Sequence, residues 1–210
     1  MAKGTLQMKK VLFCVVFIIA FVGLLSMIPK LAKPTIKTVT GVPAPTMNQT
    51  VGEEVLEING MKVRIEKKYE YEATGITQMV KNFTGSGFQD QVAPMDIGLL
   101  WGSAAQYNDK LTYDWFFEGR NVLYTVYSKE DLDYIDYDQV VKETIFGRLI
   151  PKDDFVRAEM KKIKMNQYVK IKGYLVNAYF PAEANAGISG FLTDVEDCHV
   201  IYVTGVEWLK

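Results

Sequence analysis

The chain has 210 residues, 49% of them hydrophobic, which is typical of one globular domain with an additional segment. All 25 acidic residues come after residue 52, and the chain beyond residue 40 holds 18 basic residues, which gives that part a net charge of −7. An acidic domain is a poor partner for a phosphate backbone, and one histidine with two cysteines is too few for a zinc site or a disulfide within the domain.

The first element in the chain is a run of eighteen residues, 11–28, that contains no charged side chain. As a helix this run is about 27 Å long, close to the roughly 30 Å thickness of a bilayer core. A cleaved signal peptide is the alternative, but the sequence Ser26-Met27-Ile28-Pro29 is a poor cleavage site. We therefore predict a single-pass signal anchor. Residues 1–10 are then a short cytoplasmic tail, and the protein belongs to the cell membrane with its C-terminal domain extracytoplasmic.

The next segment, residues 29–52, holds four of the seven prolines and no aromatic residue. This composition predicts a stalk or linker. The folded domain is predicted to occupy residues 53–210.

Strand patterns dominate this domain. Asn59-Gly60 lies between alternating segments and predicts a hairpin with a type I′ turn. Further strands are predicted over 121–128, over 168–180 and over the C-terminal segment "CHVIYVTGVEWL". Residues 152–164 have the apolar spacing and charge order of a helix, and residues 131–142 fit a second short helix or a loop.

These elements predict a mainly β fold of the β-rich α+β kind, arranged as a small antiparallel barrel with one or two short helices. A helix placed before the penultimate strand region is typical of an oligonucleotide/oligosaccharide-binding (OB-like) barrel. That likeness concerns architecture and implies no function.

The segments "PMDIGLLWG", "RNVLYTVY" and "GRLIPKDDFVRAEMKKIKMNQYVKIKGYLV" follow one another in this order. In that order they resemble a family of uncharacterised bacterial membrane-anchored proteins that has an Asp-x-x-x-x-Trp-Gly segment and a C-terminal OB-like β region. The resemblance covers roughly residues 94–203 and implies location and fold more than activity. The family has a histidine where this chain has Arg148, and Thr193, Asp194 and Cys198 are what remains of its C-terminal motif.

Asp96 is a single carboxylate in an otherwise apolar run. It has two interpretations, because a buried carboxylate must be paired, hydrogen-bonded or protonated. As a structural pin it would accept backbone N–H groups of residues 98–99 and cap a turn, with Trp101 as the anchor of that segment and Arg120 as the best charged partner. As a general acid or base it would need a second carboxylate, such as Asp194 or Asp197. We favour the structural pin, and we predict no catalytic residue, no metal site and no cofactor.

Aromatic residues are concentrated between positions 107 and 137. We predict an interaction surface that comprises Trp115, Phe117, Tyr124 and Tyr127, because tyrosine and tryptophan are enriched at protein interfaces. The function expected from it is non-enzymatic binding of another envelope protein. The alternatives are a glycan- or small-ligand-binding domain that uses the same aromatic residues, or a carboxylate-based hydrolase built on Asp96. Beside the membrane, the predicted partners are thus an envelope protein or a glycan.

Overall fold

The computed structural model describes residues 38–128, 135–181, 191–192 and 198–209, all of which belong to one unit. The predicted tail, the predicted anchor over residues 11–28 and the first part of the predicted stalk lie outside these residues. Among the described residues, no helix is long and apolar enough to cross a membrane. The described fold is mainly β, as predicted.

Within these residues there are nine strands and four short helices. In chain order they are β1 (Thr46–Ile58), β2 (Met61–Asn82), α1 (Phe88–Val92), β3 (Met95–Leu100), α2 (Gly102–Gln106), β4 (Leu111–Glu118), β5 (Asn121–Ser128), α3 (Tyr137–Lys142), β6 (Thr144–Pro151), α4 (Asp154–Met160), β7 (Tyr168–Tyr179), β8 (Phe191–Leu192) and β9 (His199–Trp208).

The hairpin predicted at Asn59-Gly60 is confirmed by the turn between β1 and β2. Asn59 has a φ of 52° and Gly60 a φ of 78°, the two positive values that a type I′ turn requires. Strand β2 then continues for 22 residues, and its pairing partners are β1, β3 and β7. One long strand therefore links most of the sheet.

Five strands pair in a closed ring. β2 pairs with β3, β3 with β6, β6 with β9, β9 with β7, and β7 again with β2. The β6–β9 pair is parallel, which departs from the purely antiparallel arrangement that was predicted. β7 and β9 approach each other closely at Gly173, where a Cβ would be 2.0 Å from the carbonyl oxygen of Tyr202.

The interior of this ring is filled by aliphatic side chains from all five strands. They include Ile97, Leu149, Ile171 and Ile201, which are all essentially inaccessible to solvent. Helix α4 adds Val156 and Met160 to the same cluster. Burial of such side chains contributes about 1.5–3 kcal/mol each, so this cluster is the main source of stability.

Helix α4 lies inside the predicted range 152–164. Asp153 caps it by accepting a hydrogen bond from the backbone nitrogen of Val156 at 2.8 Å. The helix ends at Met160, and a tight turn continues the chain, with the backbone nitrogen of Ile163 donating to the carbonyl oxygen of Met160. Helix α3 occupies part of the segment for which a short helix or a loop was predicted.

The boundary predicted at residue 53 between stalk and domain is wrong, because the domain begins earlier. Strand β1 starts at Thr46, and Val42 is only 4% exposed, packed in a cluster with Ala104 of α2. The carbonyl oxygen of Val42 also accepts a hydrogen bond from the backbone nitrogen of Gly102. Prolines at 43 and 45 are typical of a linker, but this extended segment of the domain tolerates them.

Candidate interaction hairpin and the charge cluster at its tip

Strands β4 and β5 form a separate two-stranded sheet, the β4–β5 hairpin, which is inserted between β3 and β6. Trp115 contacts β3 at Gly98, where a Cβ would lie 2.9 Å from two atoms of the indole ring. Tyr113 and Tyr124 flank that ring, with centroids 6.1 and 4.8 Å from it. One face of the hairpin is therefore packed against the five-strand ring through an aromatic layer.

The opposite face of the β4–β5 hairpin is exposed and carries three large apolar or aromatic side chains among polar ones. Phe116 and Leu123 stand directly opposite each other on the two strands and are 56% and 74% exposed. Tyr127, on the same face, is 47% exposed and donates a hydrogen bond to Asp114 at 3.1 Å. These three residues, Phe116, Leu123 and Tyr127, are called the outer face below.

The predicted interaction surface needs a correction, because its four residues do not share one face. Trp115 and Tyr124 are half-buried on the face that packs against the ring. Phe117 is 38% exposed, but its ring lies 3.7 Å from the ammonium nitrogen of Lys81 and is thus also turned toward the sheet. Only Tyr127 belongs to the outer face. Successive side chains of a strand point to opposite faces, so Phe116 must lie on the face opposite Trp115 and Phe117. This alternation could have identified Phe116 as an exposed residue from the sequence.

At the tip of the hairpin, Arg120 reaches back to the five-strand ring. Its guanidinium donates to Asp90 at 2.8 Å, to Asp96 at 2.9 Å and to the carbonyl oxygen of Ala93 at 2.9 Å. Arg148 of β6 in turn donates to the carbonyl oxygen of Arg120. We call Asp90, Asp96, Arg120 and Arg148 the charge cluster. It ties the tip of the hairpin to α1, β3 and β6.

Asp96 is fully buried, and the sequence-based expectation about its hydrogen bonds is wrong. It lies within β3, not at the start of a turn, and it accepts from Arg120 rather than from the backbone amides of residues 98–99. A strand pairs its amides with neighbouring strands, so those of β3 are already engaged with β2 and β6. The predicted pairing of Asp96 with Arg120 agrees with this geometry.

Burial raises the pKa of Asp96 to about 6, although the positive charges of Arg120, Arg148 and Lys81 act in the opposite direction. Its second oxygen, Oδ2, has no hydrogen-bond partner among the described residues. A general acid or base must reach its substrate, and Asp96 has no solvent-accessible surface. Asp194 and Asp197, which the enzymatic alternative required, lie outside the described residues.

Trp101 and the helix α2 that follows it are held in place by Glu143. Trp101 is half-buried between two apolar clusters, and it precedes α2. The carboxylate of Glu143 caps α2 by accepting from the backbone nitrogens of Ser103 at 2.5 Å and Ala104 at 3.2 Å. Glu143 was not predicted from the sequence, because it lies 40 residues along the chain from the helix that it caps.

Three cavities lie elsewhere on the described surface. One of about 240 Å³ lies between residues 82–84, residues 94–95 and α4. A second, of about 470 Å³, is lined by the β1–β2 turn and residues 151–154. A third, of about 350 Å³, lies on β1, β2 and β7. None of these three is lined by Asp96. Among the described residues, no group of three or more His, Cys, Asp or Glu side chains is placed to hold a metal ion.

Comparison of this chain with protein-family models, with curated proteins and with solved structures finds no match. The resemblance to a family of membrane-anchored proteins therefore stays a prediction.

Proposed function

We propose that this protein is a membrane-anchored, extracytoplasmic interaction module that binds another envelope protein through the outer face of the β4–β5 hairpin. Residues 11–28 would be the anchor, and the domain would be an OB-type barrel. The observation that carries the proposal is the exposed pair Phe116–Leu123, held on a hairpin whose other face is firmly packed.

The pairing order supports an OB-type barrel. In chain order the ring strands are β2, β3, β6, β7 and β9, with α4 between the third and the fourth. OB folds are five-stranded barrels that bind ligands on the face of their second and third strands. In this chain those strands are β3 and β6, and Trp115 and Tyr113 cover them at Gly98 and Thr144. The hairpin then presents its own outer face in place of the covered one.

The outer face has the properties of a protein-binding surface. Protein interfaces are enriched in aromatic side chains at their centre, and Phe116 and Tyr127 are aromatic. A surface that is already rigid loses less conformational entropy when a partner binds. The aromatic layer and the hydrogen bonds of Arg120 hold the hairpin in this way. The Asp114–Thr125 pair separates Tyr127 from the apolar pair along the strands, and the Tyr127–Asp114 hydrogen bond places polar groups on the same face.

The two alternative functions have less support. Glycan binding was expected to use Trp115 and Tyr124, and both aromatic side chains are turned toward the five-strand ring. The hydrolase alternative was built on Asp96, which is fully buried.

The experiment is site-specific photo-cross-linking of the full-length protein in its own membrane. A benzophenone amino acid replaces Phe116 in one variant and Phe155 in a second. Phe155 is a matched control because it is 73% exposed on α4, away from the hairpin. We expect one discrete protein adduct from position 116 and none of the same mass from position 155.

A second pair of variants shows whether the contact contributes to binding. Phe116→Ser combined with Leu123→Ser should reduce recovery of that partner at least tenfold, because central apolar contacts contribute about 2 kcal/mol or more. Phe155→Ser should leave recovery unchanged. Equal adducts at both positions, or full recovery with the double variant, would contradict the proposal.

A further inference from the structure

The cavity beside α4 is the feature that carries a further inference. It measures about 240 Å³ and lies between the end of β2, the start of β3 and one side of α4. Its lining includes Phe83, Pro94, Met95 and Met160. A cavity of about 150 Å³ is enough for benzene, so this one accommodates an apolar group somewhat larger than a single ring.

Two positively charged side chains line one side of this apolar cavity. Arg157 on α4 and Lys161, the residue that follows its last turn, both line it. Lys161 is exposed and makes no ion pair with any residue in the described ranges. A cavity with an apolar wall and a cationic side is complementary to an amphipathic anion.

Arg157 is the more informative of the two. Its side chain is only 24% exposed, yet the nearest carboxylate oxygen, from the fully exposed Asp154, is 3.9 Å from its Nε. Its Nη2 donates to the carbonyl oxygen of Gln91 at 3.2 Å. Burial lowers the pKa of Arg157, and the charge of Asp154 acts in the opposite direction. A carboxylate or phosphate beside this guanidinium would supply the charge-assisted hydrogen bonds that Asp154 does not.

Phe83, which forms part of the apolar wall of the cavity, is held in place by its neighbours. Its ring is contacted by the guanidinium of Arg120 at 3.8 Å, and its backbone nitrogen donates to the carbonyl oxygen of Pro94 at 2.8 Å. Met95 and Met160 are each 1% exposed and belong to the main core cluster. The cavity is thus built on a rigid part of the fold, and such largely pre-formed sites are typical of small-ligand binding.

We propose that this cavity binds a small amphipathic anion, with its carboxylate or phosphate at Arg157 and Lys161 and a short apolar chain against Phe83 and Pro94, in front of the buried Met95 and Met160. This site is separate from the outer face of the hairpin, so it can fail or succeed independently of the proposed function. The anion has two possible sources, a free acid in solution or an anionic lipid of the bilayer.

The test uses the full-length chain in zwitterionic nanodiscs with ¹³C-labelled methionine methyl groups, and octanoate as the probe. Met95 and Met160 line the cavity, whereas Met165 is 47% exposed outside it and serves as the internal control. We expect saturable shifts of the methyl signals of Met95 and Met160, with Met165 unchanged. Octanol should bind about tenfold more weakly because it lacks the charge, and butyrate at least about tenfold more weakly because it buries less apolar surface.

Variants locate the binding. Arg157→Gln should weaken octanoate binding about tenfold, while Lys162→Gln, on the residue next to Lys161 but outside the lining, should leave it unchanged. Thr84→Trp fills the cavity mouth from an exposed position and should abolish the shifts. A second sample in nanodiscs with anionic phospholipid and no octanoate identifies the source, because shifted signals there indicate lipid and unshifted signals indicate a free acid. The absence of a saturable shift with both octanoate and anionic lipid would overturn the proposal, as would a response that Thr84→Trp does not change.

Discussion

The burial of Asp96 makes a prediction about how stability depends on pH. Asp96 has no accessible surface, and its pKa is raised to about 6 from the ordinary value of 3.8. Replacing it by asparagine keeps the shape of the side chain and removes the titration. The informative quantity is the difference in unfolding free energy between wild type and Asp96→Asn as a function of pH, because other titrating groups contribute equally to both proteins.

The sign follows from the direction of the shift. Below pH 3.8 the carboxyl group is protonated in both the folded and the unfolded state, so its titration contributes nothing. Between 3.8 and 6 the folded state holds the proton more tightly, and stability therefore falls as the pH rises through this window. Above pH 6 the loss is complete. A shift of this size corresponds to about 3 kcal/mol, since one pKa unit equals about 1.4 kcal/mol.

The assay is urea unfolding of the full-length chain, followed by tryptophan fluorescence between pH 4 and pH 7.5. We expect wild type, relative to Asp96→Asn, to lose about 2.4 kcal/mol of stability between pH 4 and pH 7, because the unfolded-state carboxyl group is already partly ionised at pH 4. Parallel curves for the two proteins would refute the reasoning. They would show that the attraction of Arg120, Arg148 and Lys81 equals or exceeds the cost of burial.

Three further predictions concern packing and capping. Gly98→Ala places a methyl group 2.9 Å from the ring of Trp115 and should cost about 1–3 kcal/mol, measured as a lower urea midpoint together with faster amide exchange in the β4–β5 hairpin. Glu143→Ala removes the acceptor that caps α2 and should cost about 1–2 kcal/mol in the same unfolding assay. Gly173→Ala brings a methyl group to 2.0 Å from the backbone oxygen of Tyr202, so it should cost more than about 3 kcal/mol or prevent folding altogether, as judged by circular dichroism.

Each of these changes has a control in the same chain. Gly205→Ala meets no atom within 4 Å and should be tolerated, so equal losses for Gly98 and Gly205 would contradict the proposed packing of the hairpin. Lys142→Ala changes the exposed residue next to Glu143, and a loss as large as that of Glu143→Ala would exclude a specific capping effect. A Gly173→Ala variant as stable as wild type would contradict the close approach of β7 and β9 at this position.

Local signals in the sequence predicted the local parts of this fold. Asn59-Gly60 specifies its turn through two positive φ values, and both are observed. Helix α4 was found because its acidic start and apolar spacing involve neighbouring residues only. Strand β5 was predicted at its observed limits because alternation is visible within eight residues.

The parts that sequence analysis missed depend on contacts between distant residues. Asp96 interrupts an apolar run, and a charge in such a place is typical of a cap, so β3 was interpreted as a turn. Its pairing with Arg120 makes it compatible with a buried strand, but the two residues are 24 positions apart. The division of the aromatic residues between two faces was missed for a related reason. Alternation along β4 and β5 divides the side chains between two faces. Which face is covered is decided by the contact between Trp115 and Gly98 of β3, a residue that is distant in sequence.

The closed ring also determines when the protein can finish folding. The β1–β2 and β4–β5 hairpins pair neighbours in sequence and can form as soon as they leave the ribosome. Strand β2, by contrast, pairs with β7, whose Tyr179 faces Arg64, and the ring closes only after β9 at 199–208 has been made. At 5–20 residues per second, the apolar interior and the open strand edges wait roughly 6–25 s between the completion of β2 and that of β9. The unfinished chain therefore exposes apolar side chains and unpaired strand edges between the completion of β2 and that of β9, and a cellular factor that shields such edges would protect it from aggregation during that time.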